Sequence, residues 1–144
     1  MLKKSPSQTS RHRSLGPKPE FKSEKTKIKS GALRFVPLGG LEEIGRNMMF
    51  FEYENEIVII DAGLQFPEEE TPGIDFIIPN TTYLESKRAN IHALIITHAH
   101  YDHIGALPYI LQKIGNPPIY CTALTKALIE KRQEDFPNQP KPTF

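Results

Sequence analysis

Six consecutive residues carry four side chains of the kinds that bind metal ions. Three of the five histidines of the chain and one aspartate fall within residues 98–103, as His98, His100, Asp102 and His103. Imidazole nitrogens and carboxylate oxygens are ordinary ligands of Zn²⁺ and similar ions. His98 and His100 are two residues apart, so in an extended backbone they project the same way. We therefore predict a divalent metal site here, with Asp102 and His103 serving a neighbouring second ion.

A pair of divalent ions in this segment would have a defined chemistry. Two ions held ~3.5–4 Å apart can bridge a hydroxide and bind a phosphate or carbonyl oxygen, which provides a nucleophile near neutral pH. Asp102 would then be both a metal ligand and a catalytic residue that orients the hydroxide. Asp61 ends an apolar run, and we expect it to orient the ligand segment as a hydrogen-bonding residue behind the ligands. The alternative is that Asp61 only caps the turn at Gly63. His12 and His92 have no neighbouring ligands, and we assign them no role.

The surrounding sequence predicts strands that alternate with helices. Apolar runs predict strands at 33–37, 47–53, 56–60, 93–97 and 119–121, and the polar pair Glu54-Asn55 between two of these runs predicts a hairpin. The continuous run Val58-Ile59-Ile60 is typical of a strand buried on both faces. Helical spacing predicts helices at 83–90, from 104 to Gly115, and, after an N-cap at Thr122, to about Gln133, whereas 64–82 reads as a long loop. Gly105 is expected to allow a close approach at the start of the second of these helices. This order indicates an α/β layered fold, with the histidine-rich segment beyond the carboxyl end of a strand, where ligands bind in open α/β sheets.

The charges of the chain are unevenly distributed. Residues 1–30 hold nine Lys or Arg and two Glu, a net charge of +7, and the whole chain carries +1. Because this segment has few apolar residues, we predict a disordered basic arm at 1–30 and a folded part at 31–144. Such an arm attracts polyanions such as RNA, and a solubilising tail or an organelle transit peptide are the alternatives.

Two further features of the sequence indicate the cellular compartment in which the protein works. No apolar run approaches the ~20 residues that cross a bilayer, so no membrane partner is expected. Cys121 is the only cysteine, which excludes an intramolecular disulfide and favours a reducing, cytoplasmic location.

The pattern His-x-His-x-Asp-His at the end of a strand resembles the signature of the metallo-β-lactamase fold superfamily. The stretches 38–48, 60–67, 73–79 and 103–109 narrow the resemblance to the bacterial ribonuclease J family of β-CASP nucleases. The resemblance extends from about Leu33 to about Arg132. It implies an αββα sandwich, of which residues 31–144 would form an incomplete N-terminal part.

The resemblance to ribonuclease J also implies an activity. Members of that family hydrolyse RNA as 5′-to-3′ exonucleases and as endonucleases, favour 5′-monophosphate ends, and act in mRNA decay and rRNA maturation. By resemblance, His98 and His100 would hold one Zn²⁺ and Asp102 and His103 the other, with Mn²⁺ or Mg²⁺ as alternatives. The complete protein would be a homodimer or homotetramer. The sequence does not single out the residues that contact RNA.

The sequence departs from the family in two respects. Ala99 and Tyr101 occupy the variable positions of the motif, where the family more often has glycine and an acidic residue. Neither position is a ligand, and the effect of Tyr101 on the rim of the site and on substrate preference stays open. No histidine follows His103 and Asp135 lacks a matching context, so the remaining family ligands and the β-CASP domain are missing. We therefore expect the isolated chain to bind metal weakly and to be catalytically inactive.

Two other functions stay open at this point. One is a metallo-β-lactamase-fold hydrolase that acts on small esters, thioesters or lactams. The other is a non-catalytic protein that binds RNA through its basic arm.

Overall fold

The computed structural model describes residues 29–67 and 73–144, and the predicted basic arm at 1–30 falls almost entirely outside them. The described residues form one five-stranded mixed sheet. Its strands are β1 (Arg34–Gly39), β2 (Met48–Tyr53), β3 (Glu56–Ile60), β4 (Ile91–Ile95) and β5 (Ile119–Tyr120), and they lie side by side in chain order. The pairs β1–β2 and β2–β3 are antiparallel, whereas β3–β4 and β4–β5 are parallel. The predicted α/β class is confirmed.

Four α-helices and one 3₁₀ turn connect the parallel strands or follow the last one. They are α1 (Thr82–Ser86), the 3₁₀ turn at Arg88–Asn90, α2 (Tyr101–Ile104), α3 (Leu107–Ile110) and α4 (Ala123–Gln133). The N-terminus of α4 is capped as predicted, because the side chain of Thr122 accepts a hydrogen bond from the backbone N–H of Thr125. Within the described ranges, no helix is both long and apolar enough to cross a membrane.

The hydrophobic core lies on one face of the sheet. Alternate residues of the strands point to that face, and the helices contribute to the same buried cluster. Its fully buried large side chains are Met48, Phe50, Ile57, Ile59, Leu84, Leu94, Ile104, Ile110, Leu111 and Ile114. Val58 and Ile60 are only half-buried and Ile95 is 40% exposed. The expectation of burial on both faces was therefore wrong for the described residues, because their helices pack on one face only.

Several predicted boundaries also differ from the structure. The strand predicted at 93–97 is β4 at Ile91–Ile95, and the helix predicted at 83–90 is α1 followed by the 3₁₀ turn. Strand β1 continues through Pro37 to Gly39, because β1 is an edge strand and a proline there costs no ladder hydrogen bond on its free side. The predicted helix from 104 to Gly115 is divided into α2, α3 and further turns. The division lies at Gly105 and Ala106, where the N–H of Ala106 donates to the carbonyl of Ala62 instead of to its own helix (2.8 Å).

Candidate metal centre

The ends of two parallel strands bring the predicted site residues together. Strands β3 and β4 pair in register from Val58 to Ile60, so their carboxyl ends reach the same edge of the sheet. The backbone N–H of Asp61 donates to the carbonyl of Ile95 (2.9 Å), which joins the two chain segments beyond the strands. The histidine-rich segment 98–103 begins three residues after β4 and therefore lies beside Asp61. Topology, rather than sequence proximity, places them together.

Asp61 holds this segment from behind. Its carboxylate is 3% exposed; Oδ1 accepts a hydrogen bond from the backbone N–H of Thr97 (2.8 Å), and Oδ2 lies 2.8 Å from Nδ1 of His103. A carboxylate only accepts hydrogen bonds, so in the neutral imidazole the proton sits on Nδ1 and the lone pair on Nε2. This is the tautomer that a metal ligand bound through Nε2 requires. The orienting role of Asp61 stays a prediction, and this contact with Nδ1 of His103 is the one that the role requires.

The four predicted ligands converge in space. The ring centroids of His98 and His100 lie 4.6 Å apart, and those of His98 and His103 lie 4.0 Å apart. Nε2 of His98 is 3.1 Å from Nδ1 of His100, and Oδ2 of Asp102 is 3.3 Å from Nε2 of His103. Three imidazoles and a carboxylate form an imidazole-rich donor set, and by its chemistry this set fits a borderline-soft ion such as Zn²⁺.

The arrangement of these donors is incomplete as a coordination shell. Across residues 29–67 and 73–144, no group of three or more His, Cys, Asp or Glu side chains has the geometry to hold a metal ion. The imidazoles instead contact each other, as the 3.1 Å distance between His98 and His100 shows. The donor atoms are therefore of the types that bind a divalent ion, but the imidazoles would have to move apart to surround one.

Asn47 is a site residue that sequence reasoning missed. Its side-chain amide donates to Oδ2 of Asp102 (3.0 Å) and lies 3.3 Å from Nε2 of His103, and its backbone N–H donates to the carbonyl of Asp102 (3.0 Å). Gly40 packs against it, since a Cβ at that position would come within 2.4 Å of Oδ1 of Asn47. The only signal in the sequence was a polar residue between a glycine-containing turn and an apolar strand.

Two glycines allow the ligand segment to pack closely against its support. A Cβ at Gly63 would come within 1.7 Å of the backbone oxygen of Asp102, and a Cβ at Gly105 would come within 2.4 Å of the Leu64 side chain. The backbone N–H of Leu64 also donates to the carbonyl of Tyr101 (3.2 Å). The predicted close approach at Gly105 is present, and Gly63 provides a second one directly behind Asp102.

The remaining residues considered from the sequence lie elsewhere. His92 is an exposed residue of β4 that contacts Glu56, and His12 lies outside the described residues. Asp135 lies just beyond α4 in a cleft with Tyr101 and is not part of the ligand cluster.

A second polar cluster lies at the opposite end of the sheet. Glu52 on β2 is 4% exposed and accepts hydrogen bonds from Arg34 (2.6 Å), Tyr83 (2.7 Å) and Lys87. Burial by itself raises the pKa of Glu52, but the hydrogen bonds from Lys87 and Tyr83 and the nearby positive charges outweigh it and hold the pKa below its usual value. The same contact with Glu52 raises the pKa of Lys87. Every group in this cluster is paired, which is typical of a structural network.

Comparison with known proteins identifies similar chains. The family model described as the Metallo-beta-lactamase superfamily matches residues 41–142. A ribonuclease J from Synechocystis is 43% identical over 104 residues, which are 72% of this chain and 16% of the relative. A ribonuclease J from Thermus thermophilus is 43% identical (75% and 20%), and one from Mycoplasma pneumoniae is 46% identical (69% and 17%). The chain thus spans about a fifth or less of the length of these relatives.

Two solved structures are similar in their backbone. The short form of human tRNase Z has a TM-score of 0.48 and 21% identity, and the match covers 78% of this chain and 43% of that one. A diphosphatase of the PhnP family has a TM-score of 0.47 and 18% identity, with 77% and 50% covered.

Proposed function

The chain belongs to the metallo-beta-lactamase superfamily, and we propose that it forms the N-terminal part of a metal-dependent enzyme that hydrolyses RNA. The observation that carries the proposal is the convergence of His98, His100, Asp102 and His103 beyond β4, with Asp61 hydrogen-bonded behind them. The similarity to proteins named ribonuclease J supports a phosphodiester of RNA as the substrate.

We assign the residues as follows. His98 and His100 would hold one divalent ion, and Asp102 and His103 the other; Zn²⁺ is the favoured metal for so many imidazoles, with Mn²⁺ or Mg²⁺ as alternatives. When bound, such ions supply a water of lowered pKa and positive charge near the phosphate oxygens. Asp102 would accept a hydrogen bond from the attacking water, which makes it the catalytic residue. Asp61 keeps the proton on Nδ1 of His103, so that Nε2 can act as a ligand.

We propose that the chain alone forms only part of the metal site. Its donors do not surround a common centre, and one face of its sheet carries half-buried and exposed apolar residues such as Val58 and Ile95. The further ligands and the elements that cover this face would come from parts of the complete protein other than these 144 residues. We therefore expect the 144-residue chain to bind metal weakly and to show little or no catalysis. Robust nuclease activity of this chain, abolished by His100→Ala, would overturn that expectation.

We extend the proposal to the finer activities that the resemblance implies. The complete protein would act as a 5′-to-3′ exonuclease and endonuclease on 5′-monophosphorylated RNA, in mRNA decay and rRNA maturation, as a cytoplasmic homodimer or homotetramer. The support for these activities is the similarity to ribonuclease J, and the matched region makes up only 16–20% of the length of each of the three relatives.

The test uses the complete protein that contains this chain. Single-stranded RNA with a 5′-monophosphate or a 5′-hydroxyl is incubated with the wild type, with His100→Ala, and with His92→Ala as a control for an exposed histidine outside the cluster. We expect hydrolysis that prefers the monophosphate, is lost in His100→Ala and is retained in His92→Ala. If the protein hydrolyses a thioester but leaves RNA uncleaved, the result would instead favour a small-molecule hydrolase.

A second function, non-catalytic RNA binding, is favoured by the charge of the N-terminus. The net charge of +7 in residues 1–30 suits contacts with phosphates, whose strength falls as salt rises. Deletion of residues 1–30 should then weaken RNA binding and reduce its salt dependence. Unchanged affinity and salt dependence would exclude a role of the arm in RNA binding.

A further inference from the structure

Tyr101 interrupts the metal motif with an exposed aromatic ring. It follows His100 and precedes Asp102, yet its side chain is 46% exposed and is not one of the proposed metal ligands. The ring of Phe66 lies beside it, with centroids 6.4 Å apart, planes inclined by 24° and 66% of Phe66 exposed. Two exposed and nearly parallel aromatic rings therefore lie directly beside the proposed ligands.

Arg132 on α4 fixes the position of Tyr101. Its guanidinium carbon lies 4.2 Å from the centroid of the Tyr101 ring, and Nη2 donates to the carbonyl of Gly105 (3.3 Å). The ring of Phe136 flanks the guanidinium at 5.4 Å, and Nε is buried without a hydrogen-bond partner in the described part of the chain. A cation held over an aromatic ring is attracted by its electron-rich face. Arg132 thus anchors Tyr101 and adds positive charge next to it.

The anchored ring borders a cleft between the ligand segment and α4. The cleft has a volume of about 250 Å³, and its lining residues are Ala99, Tyr101, Ile104, Leu128, Lys131, Arg132 and Asp135. Its apolar walls suit a flat aromatic group. Arg132 supplies positive charge for an adjoining phosphate, whereas Lys131 is paired with Glu134 (2.6 Å) and Asp135 adds a carboxylate to the lining. Proteins that bind single-stranded nucleic acid use such combinations of stacking rings and positive charge.

We infer that Tyr101 and Phe66, with Tyr101 anchored by Arg132, form a stacking platform for an unpaired nucleobase next to the phosphodiester that the site cleaves. The inference rests on the proposed function, because it takes RNA as the substrate. A platform of this kind contacts the flat face that every base presents, so it tolerates any base but requires a single strand. It gives Tyr101 a substrate-positioning role at a position where the family more often has an acidic residue.

The test separates the base from the phosphates. The complete protein is titrated with a short single-stranded RNA that has hydrolysis-resistant phosphorothioate linkages, and with the same strand carrying abasic sites, which keeps every negative charge. We expect Tyr101→Ala to weaken binding of the strand with bases about 5- to 150-fold. Binding of the abasic strand should stay unchanged, and Tyr101→Phe should keep the affinity of the wild type.

Controls make each outcome decisive. The melting temperature and metal content of each variant are compared with those of the wild type, and Tyr101→Leu replaces Tyr101→Ala if the smaller side chain disturbs folding. If the variants lose no base-dependent affinity, or lose equal affinity for both strands, the platform is excluded. Hydrolysis of ordinary RNA by the wild type is measured in parallel. If the wild type cleaves RNA and the Tyr101 variants bind RNA as tightly as the wild type does, only the platform is overturned. If the wild type does not cleave RNA, the proposed function is overturned.

Discussion

The side-chain nitrogen of Asn47 lies 3.0 Å from Oδ2 of Asp102, although 55 positions separate the two residues in the sequence. The backbones of the same two residues are joined by a second hydrogen bond, from the N–H of Asn47 to the carbonyl of Asp102 (3.0 Å). Asn47 therefore ties the start of β2 to the ligand segment through both side chain and backbone. It fixes the carboxylate that we propose as catalytic.

Replacement of Asn47 by alanine should weaken metal binding. The backbone hydrogen bond survives, but Asp102 loses the amide that orients its carboxylate, and loss of such a partner typically costs about 10- to 100-fold in metal affinity. Competition with a chromophoric chelator measures that affinity in the complete protein. Asn138→Ala, at an exposed position beyond α4, serves as the control. Unchanged or tighter metal binding in Asn47→Ala would contradict an orienting role.

Replacement of Asp61 by asparagine should change the tautomer of His103. The amide nitrogen of an asparagine facing His103 would donate to Nδ1, which moves the imidazole proton to Nε2 and removes its lone pair. We expect a loss of metal affinity of about 10- to 100-fold. Nitrogen chemical shifts of His103 report the tautomer directly by NMR. A variant that keeps the proton on Nδ1 would disprove this explanation, whatever its metal affinity.

Replacement of Gly63 by alanine should displace the ligand segment. The added Cβ would collide with the backbone of Asp102, and a forced backbone shift of this kind costs about 1–3 kcal/mol of stability. We expect a lower melting temperature and weaker metal binding. Gly73→Ala is the matched control, because no atom lies within 4 Å of its added Cβ. That variant bears only the strain of its positive φ of 85° and should keep the metal affinity of the wild type.

Replacement of Glu52 by alanine should destabilise the fold without changing metal binding. The substitution leaves the charges of Arg34 and Lys87 without their carboxylate at the end of the sheet distant from the metal centre. Because these partners are 29% and 27% exposed, water compensates part of the loss, and we expect a cost of about 2 kcal/mol. Urea unfolding measures it, with exposed Glu54→Gln as the control. A cost as small as that of Glu54→Gln would mean that the network contributes nothing.

The contribution of Glu52 should also depend on pH. Its pKa is lowered in the folded protein from the ordinary value of 4.5, so the folded state favours the ionised carboxylate. The resulting stabilisation is fully present above pH 4.5 and is lost as the pH falls through the lower pKa of the folded state. The difference in unfolding free energy between wild type and Glu52→Gln should therefore be constant near neutral pH and shrink below about pH 4.5. A difference that grows in acid would contradict this sign.

Local patterns in the sequence predicted most of the fold. The polar pair Glu54-Asn55 between two apolar runs predicted a hairpin, and both residues have the positive φ values (47° and 75°) of a tight hairpin turn. The cap at Thr122 and the convergence of the motif after β4 were also readable, because neighbouring residues determine them. The division between α2 and α3 was not, since successive helical turns bury apolar residues at the same spacing as one continuous helix.

Contacts between distant segments were beyond the reach of sequence patterns. Asn47 reaches Asp102 only because β2, β3 and β4 lie side by side in the sheet. Arg132 reaches Tyr101 only because α4 packs against the ligand segment. Neither residue type has a preferred spacing from its partner, so no periodicity in a single sequence could reveal the pair.

The backbone of Asp61 is strained, and its side chain compensates that strain. Its φ of 60° lies in the left-handed region, where glycine would be free of the strain that a side chain causes. Glycine at this position would relax the turn but remove the buried carboxylate that accepts hydrogen bonds from Thr97 and contacts His103. Because unpaired buried donors cost more than the strain that glycine relieves, stability and the orientation of His103 both favour aspartate at position 61. Directed evolution of this protein toward heat resistance is therefore expected to retain aspartate at position 61 even without selection for activity.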